Sequence, residues 1–276
     1  MRYSIFEHTM VDMPYNEVEK IAANGGSVLF PISVVEEHGP HLCTGTDIYL
    51  TQAICQKISF KLKEMGLETI IAPPFYWGIN SMTNGFIGSF EIKPQTMITL
   101  ILEICENFRK WGFEKIILIN FHGDFAHIKT IAEAAKQASV EYKMPVYFAN
   151  EVNQLMKLGY TSQEPYFIRV LLDKPFESEN KKLEPLDIHA GGFETSWMIH
   201  RYRDLVNIPL AHNLKPSNTG LKELSQWSQG GEVAKKLTPL GYFGNPSDID
   251  LEKIDVIEKK TVEAYANAIK ATFKFS

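Results

Sequence analysis

The run SVLFPISVV (Ser27 to Val35) constrains the fold of this chain most. Its first part, Ser27 to Ile32, is an almost continuous apolar segment of strand length. Such a segment suits a strand covered on both faces rather than one with a wet side. It passes directly into VEEHGPHLCTGTD, which gathers Glu36, Glu37, His38, His41 and Asp47 within a few residues. Carboxylate oxygen and imidazole nitrogen together suit zinc, manganese or iron. The segment therefore reads as one half of a metal site whose remaining ligands lie elsewhere in the chain.

The rest of the sequence alternates between helical and strand patterns. Residues 14–23 predict a short helix, stopped by Asn24, Gly25 and Gly26. Asp47 to Met65 predicts a helix, with Ile48, Ala53, Ile54 and Ile58 broadly at helical spacing and Gly66 as its stop. Glu68 to Ala72 predicts a second strand, and Phe75 to Ser89 a loop rich in Gly, Asn and aromatics. A helix over Gln95 to Trp111, a strand over Ile116 to Ile119, a helix over Ala126 to Ala138 and a strand over Pro145 to Ala149 follow. This order predicts a mostly parallel sheet with helices on both faces.

Residues 150–186 break the alternation and read as irregular: an insertion, a lid or an oligomer contact. In DIHAGGFETSWMIHRY (Asp187 to Tyr202) a glycine pair leads into a helical pattern. Asn213 to Gly231 gives no clear element, and Leu251 to Phe275 predicts a final helix. With no internal repeat or linker, residues 1–276 read as a single domain.

Bulk properties exclude several classes. A net charge of −5 without a basic cluster argues against a nucleic-acid surface. No apolar run approaches the roughly 18 residues of a membrane helix, and the N-terminus lacks the apolar core of a signal peptide. Cys43, Cys55 and Cys105, an odd number at unrelated spacings, fit a reducing compartment. The expectation is a cytoplasmic protein with no membrane or nucleic-acid partner.

Three segments carry His and carboxylates beside Gly at predicted strand–helix junctions: Glu36 to Asp47, His122 to Asp124, and His189 to Glu194. In parallel α/β folds such junctions are where ligands gather. Glu36 and His38 lie two apart, as do His122 and Asp124, so each pair projects from one face of an extended segment. His189 is five residues before Glu194, which places it in the loop ahead of the helix. The bland readings are that Asp47 only caps a helix and that His8, His200 and His212 are surface or packing residues. Carboxylates able to bridge, with two to four ligands per ion, suit a pair of divalent cations in a hydrolase. A structural metal site is the alternative.

At these residues the chain resembles the creatininase (creatinine amidohydrolase) family. Pro31 to Asp47 follows the family's opening pattern P-x-x-S/A-x-E-x-H-G-x-H-L-P-x-x-T-D, apart from Val34 and Cys43. Asn120 to Phe125 stands at its second motif, and His189 to Ser196 reads as its third, H-A-G-x-x-E-T-S. Gly241 to Pro246 echoes a late G-x-x-G-x-P turn. The resemblance implies a three-layer α/β/α fold, two divalent metal ions per subunit (Zn²⁺, Mn²⁺ or Fe²⁺) and a homo-oligomer, often a hexamer. It makes Glu36, His38, Asp47, His122 and Asp124 metal ligands, with Asp47 bridging. Glu194 becomes a further ligand or an acid/base residue, and His189 the proton shuttle. Phe121 and Phe125 depart from the family and would narrow and dry the pocket. Thr83 stands where many members carry His.

The implied activity is hydrolysis of a small cyclic amide or other non-peptide C–N bond through a metal-bound hydroxide. Ring opening at a carbon–carbon bond of a cyclic diketone derived from inositol is one alternative. A non-catalytic, metal-stabilised binding or assembly module is another.

Overall fold

All four residues of Ile116–Ile119 are fully buried, and those of Ser27–Pro31 are buried too, because each strand is packed on two faces. The computed structural model describes residues 3–161, 163–172 and 186–273. At its centre are β1 (Ser27–Pro31), β2 (Thr69–Ile71), β3 (Ile116–Ile119), β4 (Val146–Glu151) and β5 (Phe167–Val170). They form one sheet in the order β2-β1-β3-β4-β5, parallel at every pairing. In register, Leu29 faces Ile71 on one side and Ile117 on the other.

The helices are α1 (Tyr15–Ala23), α2 (Thr46–Glu64), α3 (Pro94–Lys110), α4 (Phe125–Lys136), α5 (Val152–Lys157), α6 (Gly192–Tyr202), α7 (Ile208–Asn213), α8 (Leu221–Trp227), α9 (Gly231–Leu237) and α10 (Leu251–Phe273). Successive strand side chains point to opposite faces, so each strand feeds two cores. Val28, Phe30, Ile116, Leu118, Val146 and Phe148 pack with Met97, Ile101 and Phe108 of α3 and Ile128 and Ile131 of α4. Leu29, Ile117, Ile119, Ala149 and Ile168 pack with Ile54 and Ile58 of α2, Trp197 of α6 and Tyr265 and Ile269 of α10. The result is the expected three-layer α/β/α arrangement.

One buried charge cluster ties the second helical layer together. Glu258 on α10 meets Lys57 Nζ of α2 at 2.6 Å, Arg201 Nε of α6 at 2.6 Å and Trp197 Nε1 of α6 at 3.0 Å. Glu258 is wholly buried, and each of its contacts supplies a proton or a charge that offsets its loss of water.

The strand order has a consequence for function. The chain leaves β1 for β2 on one side and returns to β3 on the other, so the carboxyl ends of β1 and β3 flank the topological switch point. Ile32 extends β1 by a bridge to Phe75, and the chain beyond carries Glu36 and His38.

Two stretches without a sequence signal carry regular elements among their described residues. Within 150–186, β4 runs on to Glu151, α5 follows, and β5 adds an edge strand to the sheet. Residues 173–185 of that stretch lie outside the described residues. Within Asn213 to Gly231 the chain forms α8, seven residues long and too short for helical periodicity to declare itself. Trp227 of α8, Ala234 of α9 and Phe243 form a third small core.

Candidate metal centre

The crevice beyond β1 and β3 receives side chains from four segments. Glu36 is fixed in the β1–α2 loop by its backbone N–H, which donates to Thr44 O at 2.9 Å. Asp47 occupies the first turn of α2, where the helix dipole favours a carboxylate. His122 follows β3 and is braced by Asn120, whose Oδ1 accepts from His122 N at 3.1 Å and whose Nδ2 donates to His122 O at 2.8 Å. Glu194 lies in the first turn of α6, with Oε2 accepting from Ala190 N at 2.6 Å.

These side chains converge. Asp47 Oδ2 is 3.0 Å from His122 Nδ1, and Asp47 Oδ1 is 3.5 Å from His38 Nε2. Glu36 Oε2 is 3.3 Å from His122 Nδ1, and Glu194 Oε2 is 3.8 Å from His38 Nε2. Among the described residues three sets offer donor atoms all within 4.8 Å of one another: Glu36–Asp47–His122, His38–Asp47–Glu194 and Glu36–His38–His189.

The histidine tautomers are set from behind. His38 Nδ1 faces the Glu36 carbonyl at 3.0 Å, and His122 Nε2 faces the Ile79 carbonyl at 3.1 Å. A carbonyl only accepts, so each of those nitrogens carries a proton, and in the neutral ring the other nitrogen turns its lone pair toward the crevice. His38 Nε2 and Asp47 Oδ2 are buried without a hydrogen-bond partner. Orphaned donor atoms of this kind, aimed together, fit a divalent cation.

Charge in the crevice agrees. Burial lowers the His122 pKa, but Glu36 and Asp47 outweigh it and carry it up to about 10. His189 is likewise opposed by burial and lifted by Glu36 to about 9. Burial works to raise Asp47, yet His38 and His122 hold it well below its ordinary range. Burial raises Glu36. Carboxylates packed this tightly demand positive charge, either protons on the rings or metal between them.

His189 sits against this cluster, its ring 4.4 Å from that of His38. Its Nε2 donates to the Glu37 carbonyl at 2.8 Å, which leaves Nδ1 directed at Glu36 Oε2, 3.9 Å away. Glu37 is buried rather than solvated, and its Oε2 accepts from Gly39 N at 3.0 Å. Gly241 at φ +78 makes room for it, since a Cβ there would lie 2.0 Å from Glu37 Oε2. His41 stands behind the site, its Nε2 2.8 Å from Thr195 Oγ1, and burial holds its pKa down to about 4.

Asp124 is not brought into the ligand sets. Its Oδ1 accepts from Ala126 N at 2.7 Å and His127 N at 3.1 Å, which caps α4. Its Oδ2 accepts from Ser81 N at 2.7 Å and Ser81 Oγ at 2.6 Å. The short side chain is held by the helix start, and Glu194 takes the place beside His38 and Asp47. Phe125 is half exposed and does not line the cavity, so of the two unusual phenylalanines only Phe121 narrows it. The cavity has a volume of about 270 Å³, walled by Met82, Phe121, Phe193 and Trp227 around Glu36 and His122. His8 and His212 are exposed, and His200 approaches Asp255 at 3.9 Å away from the crevice.

Sequence reading marked Thr83 only as a departure from a family histidine and missed its contact. It is fully buried and its hydroxyl donates to Glu36 Oε1. The one signal was its position in the Gly- and Asn-rich loop.

A parallel α/β/α sheet with an acid–imidazole cluster at its switch point is the frame of a metal-dependent hydrolase. The chain matches the creatinine amidohydrolase family over residues 11–269 and belongs to that family. Among relatives, a creatinine amidohydrolase of Pseudomonas putida is 23% identical over 95% of this chain and 96% of its own length. A mycofactocin precursor peptide peptidase of Mycolicibacterium smegmatis is 25% identical, covering 88% and 84%. A 3-dehydro-scyllo-inosose hydrolase of Thermotoga maritima is 23% identical, covering 79% and 62%. A crystal structure of creatininase superposes with a TM-score of 0.69 at 19% identity, covering 96% of this chain and 98% of that one. Other solved creatininases include a manganese form and a variant of Zn-Zn type. Family membership makes the chain a metal-dependent hydrolase and sets aside a non-catalytic module. No helix among the described residues is long and apolar enough to cross a membrane.

Proposed function

We propose that this protein hydrolyses a small cyclic amide, or another non-peptide C–N bond, at a pair of divalent ions held by Glu36, His38, Asp47, His122 and Glu194. The observation that carries the reading is the placement of Asp47, which belongs to two donor sets and offers a different oxygen to each. A carboxylate so placed can bridge two ions. Zinc and manganese are the leading metals, given the forms in which related creatininases are known. When bound, such ions lower the pKa of water and polarise a carbonyl.

The chain's own residues do the rest. Glu36 and Glu194 offset cationic charge, and the Ile79 and Glu36 carbonyls keep His122 and His38 in their ligating tautomers. His189 in its charged form holds a proton on Nδ1 facing the cavity and gives it to the departing nitrogen. Glu37 and Trp227 keep that ring in place, the latter with its ring 5.8 Å away.

A second reading, ring opening at a carbon–carbon bond of a cyclic diketone, draws support from the inosose hydrolase relative and from the Phe121 wall. Zn²⁺- and Mn²⁺-loaded protein should be assayed in parallel on creatinine, a formamidopyrimidine and a cyclic β-diketone. Turnover of either nitrogen substrate, abolished by chelation, supports the first reading. Turnover of the diketone alone moves the assignment to the second, and no turnover of any removes both substrate classes. A cytoplasmic homo-oligomer with no nucleic-acid or membrane partner completes the proposal. Light scattering of the purified chain tests the assembly.

A further inference from the structure

We infer that Thr83 and Ser89 are positioning residues that set the affinity of the metal position formed by Glu36, Asp47 and His122, an inference that rests on the metal-centre reading above. The loop after β2 carries both into the crevice as a one-directional chain of hydrogen bonds. Glu37 N–H donates to Ser89 Oγ at 3.1 Å, Ser89 Oγ–H donates to Thr83 Oγ1 at 3.2 Å, and Thr83 Oγ1–H donates to Glu36 Oε1. Each hydroxyl accepts once and donates once, so the direction is fixed by the backbone N–H at one end and the carboxylate at the other.

The chain decides which oxygen of Glu36 faces metal. Oε1 is taken by Thr83, and Oε2 is left 3.3 Å from His122 Nδ1. Rotation of the carboxylate would break the bond to Thr83 in a fully buried place, where an unsatisfied hydroxyl is costly. The loop itself cannot drift. Asp124 Oδ2 holds Ser81, Asn80 Nδ2 donates to Val35 O at 3.0 Å and to Phe90 O at 2.7 Å, and Asn84 Oδ1 accepts from Gly231 N at 2.8 Å. Asp124 thus contributes to the centre indirectly, by fixing the segment that delivers Thr83.

Packing alone does not call for a hydroxyl at position 83, since valine has nearly the same shape. Thr83→Val keeps the volume and removes the donor to Glu36, and Thr83→Ser keeps the donor. The full-length variants are stripped with EDTA and titrated with Zn²⁺ against a chromogenic chelator, and thermal midpoints are read on the metal-free forms. The expected result is a roughly 10- to 100-fold loss of affinity for one ion in T83V, with T83S near wild type. In a His122→Ala background, T83V should cause no further loss at the remaining ion. Equal affinities in wild type and T83V overturn the inference. So does an equal loss at both ions accompanied by a lower metal-free midpoint, which would make Thr83 a packing residue. Wild-type protein that takes up no ion overturns the metal-centre reading and this inference with it.

Discussion

Asp47 Oδ2 lies 3.0 Å from His122 Nδ1, although one residue opens α2 and the other follows β3. The parallel sheet joins them: β1 and β3 are neighbours, and their carboxyl ends deliver both side chains to one crevice. Much of the chemistry proposed here follows from that approach.

The role of His189 separates two outcomes. Its Nε2 is engaged by the Glu37 carbonyl, and its Nδ1 faces the cavity. His189→Gln should lower kcat by about 10²- to 10⁴-fold, the range for a lost acid–base group, with metal content unchanged. Elemental analysis beside the kinetics checks this. Loss of an ion in the variant would instead make His189 a ligand, through the set it forms with Glu36 and His38.

Gly241 is predicted to be intolerant of even one methyl group. Its φ of +78 is in the left-handed region, and a Cβ would meet Glu37 Oε2 at 2.0 Å. Gly241→Ala should displace Glu37, whose carbonyl and carboxylate steady His189 and Gly39. Activity should fall at least about tenfold, and strain of the order of 1–3 kcal/mol should lower the thermal midpoint. Wild-type kinetics in G241A would remove Glu37 from the account.

Glu258 offers a test of stability apart from the site. Burial tends to raise its pKa, but Arg201, Lys57 and Trp197 bring it down to about 2 from an ordinary 4.5. A depressed carboxylate stabilises the fold above its unfolded pKa, and that contribution is lost as pH falls through the folded value. Glu258→Gln should therefore cost about 3–5 kcal/mol near pH 7, where it leaves Arg201 and Lys57 without their buried partner. The gap from wild type should shrink as pH falls from about 4.5 toward 2. Urea unfolding of both proteins across that range measures it, and a gap that stays constant contradicts the ion-pair explanation.

The sequence made the sheet and half the centre legible for a physical reason. Strands buried on both faces leave unbroken apolar runs, such as Ile116 to Ile119, and ligand clusters at their ends stand out against them. β5 was hidden because it is a four-residue edge strand with Arg169 exposed. The choice between Asp124 and Glu194 could not be read from spacing, since a carboxylate beside a helix start serves equally as cap or ligand; the bonds from Ala126, His127 and Ser81 to Asp124 are what support Glu194 in the proposed ligand set. Thr83 was hidden for a third reason. It is uncharged and 47 residues from Glu36, so nothing local to either residue marks the contact.

Metal stoichiometry of wild type and Asp47→Asn, each stripped, reloaded with Zn²⁺ or Mn²⁺ and measured by elemental analysis, tests the central claim most directly. If Asp47 joins two ions, wild type holds about two per chain and D47N loses both, because one carboxylate serves both donor sets. A D47N protein that is folded and still holds about two ions per chain would contradict the account.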